Sequence, residues 1–155
     1  MTPWLQYGAR VPLWDAVYAE DIGAVQKWLA SPTSAHQVNI SHGMWQQTCV
    51  HVAVRKGNRK ILKTLLFAHA NVNARTIDGS TPLHLALEHN QLDMIQDLLL
   101  VGANPLLINQ HTGQNAIAMA KIRGLTKISS LLHQCADSLP FQEALKKQQQ
   151  QGKSR

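Results

Sequence analysis

The sequence predicts an all-α fold: a solenoid of about four helix-turn-helix repeats. Three observations carry that prediction. Thr81-Pro82-Leu83-His84-Leu85-Ala86 has a counterpart in Thr48-Cys49-Val50-His51-Val52-Ala53, one 33-residue period upstream. Leu65-Leu66 recur as Leu98-Leu99, and Ala70-Asn71 as Ala103-Asn104, in the same register. Inside one period Leu92, Ile95, Leu98 and Leu99 form a stripe of helical spacing. Helices this short cannot bury their apolar faces alone, so a fixed period implies that neighbouring units stack.

The run Gly79-Ser80-Thr81-Pro82-Leu83-His84-Leu85-Ala86-Leu87 resembles the ankyrin repeat, whose signature is T-P-L-H-x-A at a period near 33. The resemblance covers roughly residues 11–135. It implies two antiparallel helices per repeat, joined to the next repeat by a projecting β-turn finger. A repeat domain is expected over 1–137, divided near 11–42, 43–77, 78–111 and 112–136, followed by 138–155 as a capping helix and a polar, disordered tail.

The elements follow in order. The first repeat is a divergent copy, Val11-Pro12-Leu13-Trp14-Asp15-Ala16-Val17, followed by Val25, Trp28 and Leu29. Asp15 stands where inner copies carry Val52 and Leu85, which suits an outermost repeat whose face meets water. Trp28 takes the place of Leu65 and Leu98 and is expected in the core. The connection Ser31–Met44 is longer than its counterparts and rich in Ser, Thr, Pro and His, which predicts a flexible loop. In the third repeat Thr81 is an N-cap and Pro82 sits at the first helical position, where a missing N–H leaves nothing unpaired. Asn90 fills the slot held by Gly57 and Gly124, where the chain needs positive φ. The fourth repeat, around Thr112-Gly113-Gln114-Asn115-Ala116, has lost the Pro and His of the motif but keeps its apolar spacing. Beyond it, Ser138 and Pro140 read as a helix start, and Phe141 and Leu145 as an apolar pair that covers the end of the stack. The last residues, Gln148 to Arg155, are polar and of low complexity.

With 155 residues and 45% apolar content, the chain is long enough for one cored domain. Two cysteines, Cys49 and Cys135, do not form a disulfide framework, and a reducing, cytoplasmic setting is expected. The N-terminus lacks a basic start followed by an apolar run, so no secretory signal is read; a signal-independent route of secretion into a host cell leaves no mark in the sequence. No apolar run reaches the roughly 18 residues of a membrane span.

The net charge of +6 raises the question of nucleic acid, and its distribution argues against it. Gly43 to Ile77 holds six basic residues and no acid, whereas Asp78 to Leu100 holds four acids and no base. Lys60, Asp93 and Lys127 share one repeat position, as do Arg55 and Glu88, so an alternating charge ladder is expected along the stack. Asp93 and Asp97 are expected to be solvated or paired with Lys60 and Lys63. Nucleic-acid association through the basic second repeat and the tail is the alternative reading; steep salt dependence would distinguish it.

No catalytic constellation is read. His36, His42 and His111 fall in loops without zinc-ligand spacing, and no G-x-S-x-G or phosphate-cradling loop occurs. No enzyme activity, cofactor or metal is expected. The ankyrin resemblance implies instead that His51 and His84 tie neighbouring turns together by hydrogen bonds.

That resemblance also implies a protein partner, a folded domain or a peptide, on a concave face made of finger tips and first helices. Carried over by position, the finger residues are Tyr7 and Arg10, then Met44, Trp45 and Gln47, then Ile77, Asp78 and Ser80, then His111, Thr112 and Gln114. The helix residues are Tyr18, Arg55 and Lys56, Glu88 and His89, and Ile122 and Arg123. Tyr, Trp, Met and Arg are enriched at interfaces, and Trp45 is the sharpest candidate, with packing on the 31–44 loop as its alternative. The chain is expected to be a monomer by itself and to act as an inhibitor, effector or small regulator.

Overall fold

The computed structural model describes residues 12–32 and 35–138. Within them the chain forms α1 (Pro12–Tyr18), α2 (Ile22–Leu29), a 3-10 turn (Ala35–Asn39), α3 (Cys49–Lys56), α4 (Arg59–Phe67), α5 (Pro82–Glu88), α6 (Leu92–Leu100), α7 (Ala116–Ile122) and α8 (Thr126–Ala136). The first helices α1, α3, α5 and α7 pack in sequence into one layer, and α2, α4 and α6 follow in a second. Helix pairs start where the repeat register predicts, with Thr48, Thr81 and Asn115 as the N-caps of α3, α5 and α7.

The core runs along the stack as a line of repeated positions. Leu65 and Leu98 are fully buried, as are Val50, Ile61, Leu83, Ile95 and Leu132. Each helix is too short to persist alone and draws its stability from the buried stripe, with caps closing its ends. Asp21, Asn58 and Asn115 accept hydrogen bonds from the backbone N–H groups of Ala24, Ile61 and Ala118, each cap contributing about 1 kcal/mol.

First helices end on a residue with positive φ, and the slot is filled four ways: Glu20 (58°), Gly57 (73°), Asn90 (53°) and Gly124 (71°). Glu20 carries the steric penalty that glycine avoids. Among the described residues its carboxylate accepts one long hydrogen bond, from Asn58 at 3.4 Å, on the surface. Glu20→Gly is therefore expected to raise stability by about 0.5–1 kcal/mol, read as a higher urea midpoint. A lower midpoint would mean that the Asn58 contact outweighs the strain.

Three expectations are corrected. Trp28 is 37% exposed, although Leu65 and Leu98 at the same repeat position are buried; α2 belongs to the first helix pair, and among the described residues no repeat precedes it. The Ser31–Met44 connection is not wholly irregular: its 3-10 turn buries Val38, and Asn39 accepts a 2.6 Å bond from the N–H of Asn71. The charge ladder has a different cation. Among the described residues no ion pair joins Lys60 or Lys63 to Asp93 or Asp97, or Arg55 to Glu88. Arg59 instead donates to Asp97 at 2.7 and 3.1 Å and lies 3.6 Å from Asp93. Arg59 opens α4, so its planar fork reaches across to both carboxylates of α6, which lie one turn apart. That guanidinium holds the Asp97 carboxyl below its usual range. The capping helix and tail expected over 138–155 lie, from residue 139 onward, outside the described residues.

Candidate partner-binding face

The fingers are built from backbone hydrogen bonds. In the second repeat His42 and Gln47 exchange bonds of 2.9 and 3.0 Å around the turn Gly43-Met44-Trp45-Gln46, forming an isolated antiparallel bridge. Thr76 and Ser80 close the third finger with a 2.9 Å bond, and Asn109 and Gln114 the fourth, also at 2.9 Å. Neighbouring fingers are then tied to one another: Ile77 N–H donates to Trp45 C=O, and Gln110 N–H to Asp78 C=O, both at 3.0 Å. The second bond is the first repeated one period along the chain.

Beneath the fingers, His51 and His84 perform the bridging role that the resemblance implies. His51 Nδ1 accepts from Thr48 N–H at 3.2 Å, so its Nε2 carries the proton and donates to Ser80 C=O at 3.1 Å. His84 repeats this, accepting from Thr81 N–H at 3.2 Å and donating to Gln114 C=O at 3.2 Å. Each ring thus joins the start of its own helix to the finger of the next repeat. Burial disfavours the charged imidazolium and pushes His51 down to about 4, against the backbone hydrogen bonds that favour protonation; His84 is lowered for the same first reason.

On this framework the exposed tips are apolar. Met44 is 61% exposed, Trp45 57% and Ile77 56%. Trp45 does not bury itself on the 31–44 loop, and Ile77 neighbours it through the backbone bond. His111 and Thr112 continue the tips, exposed, while Gln47 and Gln114 are half-buried because their backbones close the fingers. Ser80 is a correction: it is buried. Its hydroxyl donates to Asp78 at 3.1 Å and accepts from Asn109 Nδ2 of the next finger at 2.8 Å, so it braces the fingers and does not present itself to a partner. Asp78 is half-buried and holds the hydroxyls of Thr76 and Ser80. These bonds outweigh the opposing effect of burial and keep its carboxyl below the usual range.

The first-helix residues divide into pairs. Lys56 Nζ lies 4.2 Å over the ring of Tyr18, which is stacked at 5.2 Å on Trp14, so a cation–π contact crosses from the first repeat to the second. Arg123 donates to Glu88 C=O at 3.0 Å, a link between the third and fourth repeats. Arg55, Glu88, His89, Ile122 and Arg123 are all exposed, Ile122 at 70%. Of Tyr18, Trp45, Arg55 and Lys56, Trp45 is exposed on a finger tip, and the other three lie on the first helices α1 and α3, where Tyr18 and Lys56 are in direct contact. Tyr7 and Arg10 lie outside the described residues.

Among the described residues no group of three metal-ligating side chains occurs, and no helix is long and apolar enough to cross a membrane. Cys49 is buried at the start of α3, and burial pushes its thiol up to about 12, far from reactive thiolate chemistry.

Comparison with known proteins gives one family. Ankyrin repeats, in three copies, match residues 13–109. Among relatives, the chain is similar to the tyrosine-protein kinase Shark of Drosophila melanogaster, with 38% identity over 97 residues, 62% of this chain and 10% of the kinase. It is similar to the nuclear factor NF-kappa-B p105 subunit of Gallus gallus, with 35% identity over 98 residues, 58% of this chain and 10% of that protein. A B-cell lymphoma 3 protein homolog of Mus musculus is 39% identical over 93 residues, 59% of this chain and 20% of the relative. The matched region spans a fifth or less of each of these proteins, so the likeness is one of repeats and not of whole proteins. With the match covering more than half of its length, the buried capping histidines in place and the fingers bonded in register, the chain belongs to the ankyrin-repeat family.

Proposed function

We propose that the chain is a non-enzymatic module that binds another protein, a folded domain or a peptide, across its finger tips and the exposed face of its first helices. Ankyrin repeats are protein-interaction modules, and the role of inhibitor, effector or small regulator in a reducing, cytoplasmic compartment is the finer part of this reading. The observation that carries it is the apolar rim: Met44, Trp45 and Ile77 stay more than half exposed on fingers whose backbones are fixed to each other. Large apolar side chains on a rigid, solvent-facing edge are costly to leave uncovered and suited to anchoring a partner. The cationic face of Arg55, Lys56 and Arg123, flanked by the acid Glu88, supplies a polar border.

A protein partner fits better than nucleic acid because the basic residues do not make one groove. Arg55 and Lys56 lie on a first helix and Lys60 and Lys63 on a second, Arg59 is held by Asp97, and Arg75 donates to Ile108 C=O. The test is affinity capture from source lysate, followed by calorimetry with the identified partner. Trp45→Ala is expected to weaken binding by about 2 kcal/mol, roughly 30-fold, with an unchanged melting midpoint. Normal binding by Trp45→Ala would remove the rim from the interface. Binding that collapses with salt for every variant alike, with nucleic acid in the captured material, would favour the alternative partner class.

A further inference from the structure

Away from the fingers, the outward sides of α4 and α6 carry matched stripes. On α4 the stripe is Lys60, Lys63 and Phe67; at the same positions of the next repeat, on α6, it is Asp93, Gln96 and Leu100, all exposed. Phe67 is 89% exposed and Leu100 84%, the most exposed of the large apolar side chains among the described residues. The groove between them is also lined by Leu66, Ala70 and Val101 and by the polar Lys63, His69 and Asp97. The equivalent positions in the outer repeats are Ala30 and Gln134, so the apolar pair is confined to the middle of the stack. Adjacent exposed side chains of this size call for a cover in a way that a single leucine does not.

We propose that this face is a self-association surface and that its occupant is a second copy of this chain, related by a two-fold axis running along α4 and α6 and midway between them. Such an axis lays α4 of one copy on α6 of the other with the helices parallel, and makes every contact twice. Because α4 and α6 are equivalent elements of successive repeats, each α4 residue then faces its own repeat equivalent in the other copy. Phe67 meets the Leu100 side chain of the second copy, and Lys60 meets its Asp93.

Charge selects this axis over its alternative. The ionisable groups of α4 are Arg59, Lys60 and Lys63, with no acid; those of α6 are Asp93 and Asp97, with no base. Arg59 is held most closely by Asp97 of its own chain at 2.7 Å and also lies 3.6 Å from Asp93, whose side chain nonetheless stays 75% exposed; the other stripe carries two lysines. A two-fold axis running across the helices would lay α4 against α4, cation on cation, and α6 against α6, anion on anion. Only the axis along the helices opposes unlike charges while joining the two apolar side chains. The apolar part is small beside the roughly 800 Å² per partner of a stable dimer, so the association is weak, with a Kd in about the 100 µM range. The chain is then a monomer when dilute, as its sequence suggests, and a dimer where it is concentrated. The face lies on the second helices, so it is independent of binding at the finger rim.

The experiment is sedimentation equilibrium of the full chain at low salt, from about 10 µM to about 1 mM. The weight-average mass is expected to rise from the monomer's 17.2 kDa toward twice that value. Phe67→Glu and Leu100→Glu should each weaken association at least tenfold while leaving far-ultraviolet dichroism and the melting midpoint unchanged, as suits side chains this exposed. Register is tested by charge exchange. Lys60→Glu and Asp93→Lys should each associate several-fold more weakly than the natural chain when alone. Mixed, they should form a heterodimer tighter than either variant by itself. In that heterodimer the two substituted positions oppose each other with their signs exchanged, and the two unsubstituted ones pair as in the natural dimer. A mass fixed at the monomer value across the range would overturn the proposal, as would a dimer indifferent to Phe67→Glu, or a mixture no tighter than its components. Dimerisation that appears only after removal of residues 139–155 would assign the face to that segment and overturn it equally.

Discussion

Acidification from pH 7 to pH 4 is expected to remove on the order of 3 kcal/mol of folding stability through His51 alone. The ring is fully buried, and its pKa is pushed from the ordinary 6.5 down to about 4 by that burial. Between those values the unfolded chain takes up a proton that the native chain refuses, so stability falls as pH drops through this window. It is complete above the unfolded value and levels off below the folded one. His84, lowered in the same direction, adds to the same loss. Asp78 and Asp97, whose native carboxyls are held low, contribute only further toward acid. Urea unfolding midpoints at half-unit steps of pH check this. In His51→Ala the slope between pH 6.5 and pH 4 should flatten, and stability at pH 7 should drop by about 2–4 kcal/mol, since Thr48 N–H and Ser80 C=O lose a buried partner. A midpoint that does not move between pH 7 and pH 4.5 would mean that the rings are protonated in the native state.

Gly79→Ala is expected to destabilise the fold by about 2–3 kcal/mol, and Gly113→Ala by about 1 kcal/mol, although the two glycines hold the same place in successive fingers. Both have positive φ, 82° and 68°, so both substitutions incur left-handed strain. Only at Gly79 is the space also taken. An added Cβ would lie 3.0 Å from the backbone N of Gln110 and 3.1 Å from Arg75 Nη2, whereas nothing stands within 4 Å at Gly113. The backbone atom in the way belongs to the bond between Gln110 and Asp78, so relief requires that neighbouring fingers separate. Equal losses in the two variants, measured by urea unfolding, would show that the inter-finger bond gives way freely.

The same slot explains what could and could not be read from the sequence. In the second finger it is held by Gln46, with φ of 53°, and at the end of the second helix His69, at 61°, stands where the next repeat has Gly102. Period and motif locate these positions, but glutamine and histidine in the left-handed slot hide them from a search for turn residues. The framework was legible because Thr48 with His51, and Thr81 with His84, act within three residues and recur intact, and the family resemblance implied their links to the next finger. The exposed tips Met44, Trp45 and Ile77 were legible by the same carry-over. Contacts that depend on how one repeat leans on the next were not. Arg59 finds Asp97 and Asp93 in place of the equal-register pair Lys60 and Asp93 because reach and side-chain shape, not position number, decide an exposed ion pair. Ser80 looks like a surface residue until Asn109 of the following finger closes over it. Phe67 and Leu100 lie within runs of apolar residues, and in such runs the sequence does not mark which member leaves the core.

The bonds from Ile77 to Trp45 and from Gln110 to Asp78 use main-chain atoms alone. The geometry of the rim is thus written in a part of the molecule that every amino acid except proline can supply. A tip side chain can be exchanged for another without moving the tip, so recognition can be rewritten one residue at a time, as type is changed in a locked frame. Proline at position 77 or 110 is the exception, because it deletes the donor. Variation in what this protein grips should accordingly be sought at 44, 45, 77 and 111, and intolerance of proline at the two donors.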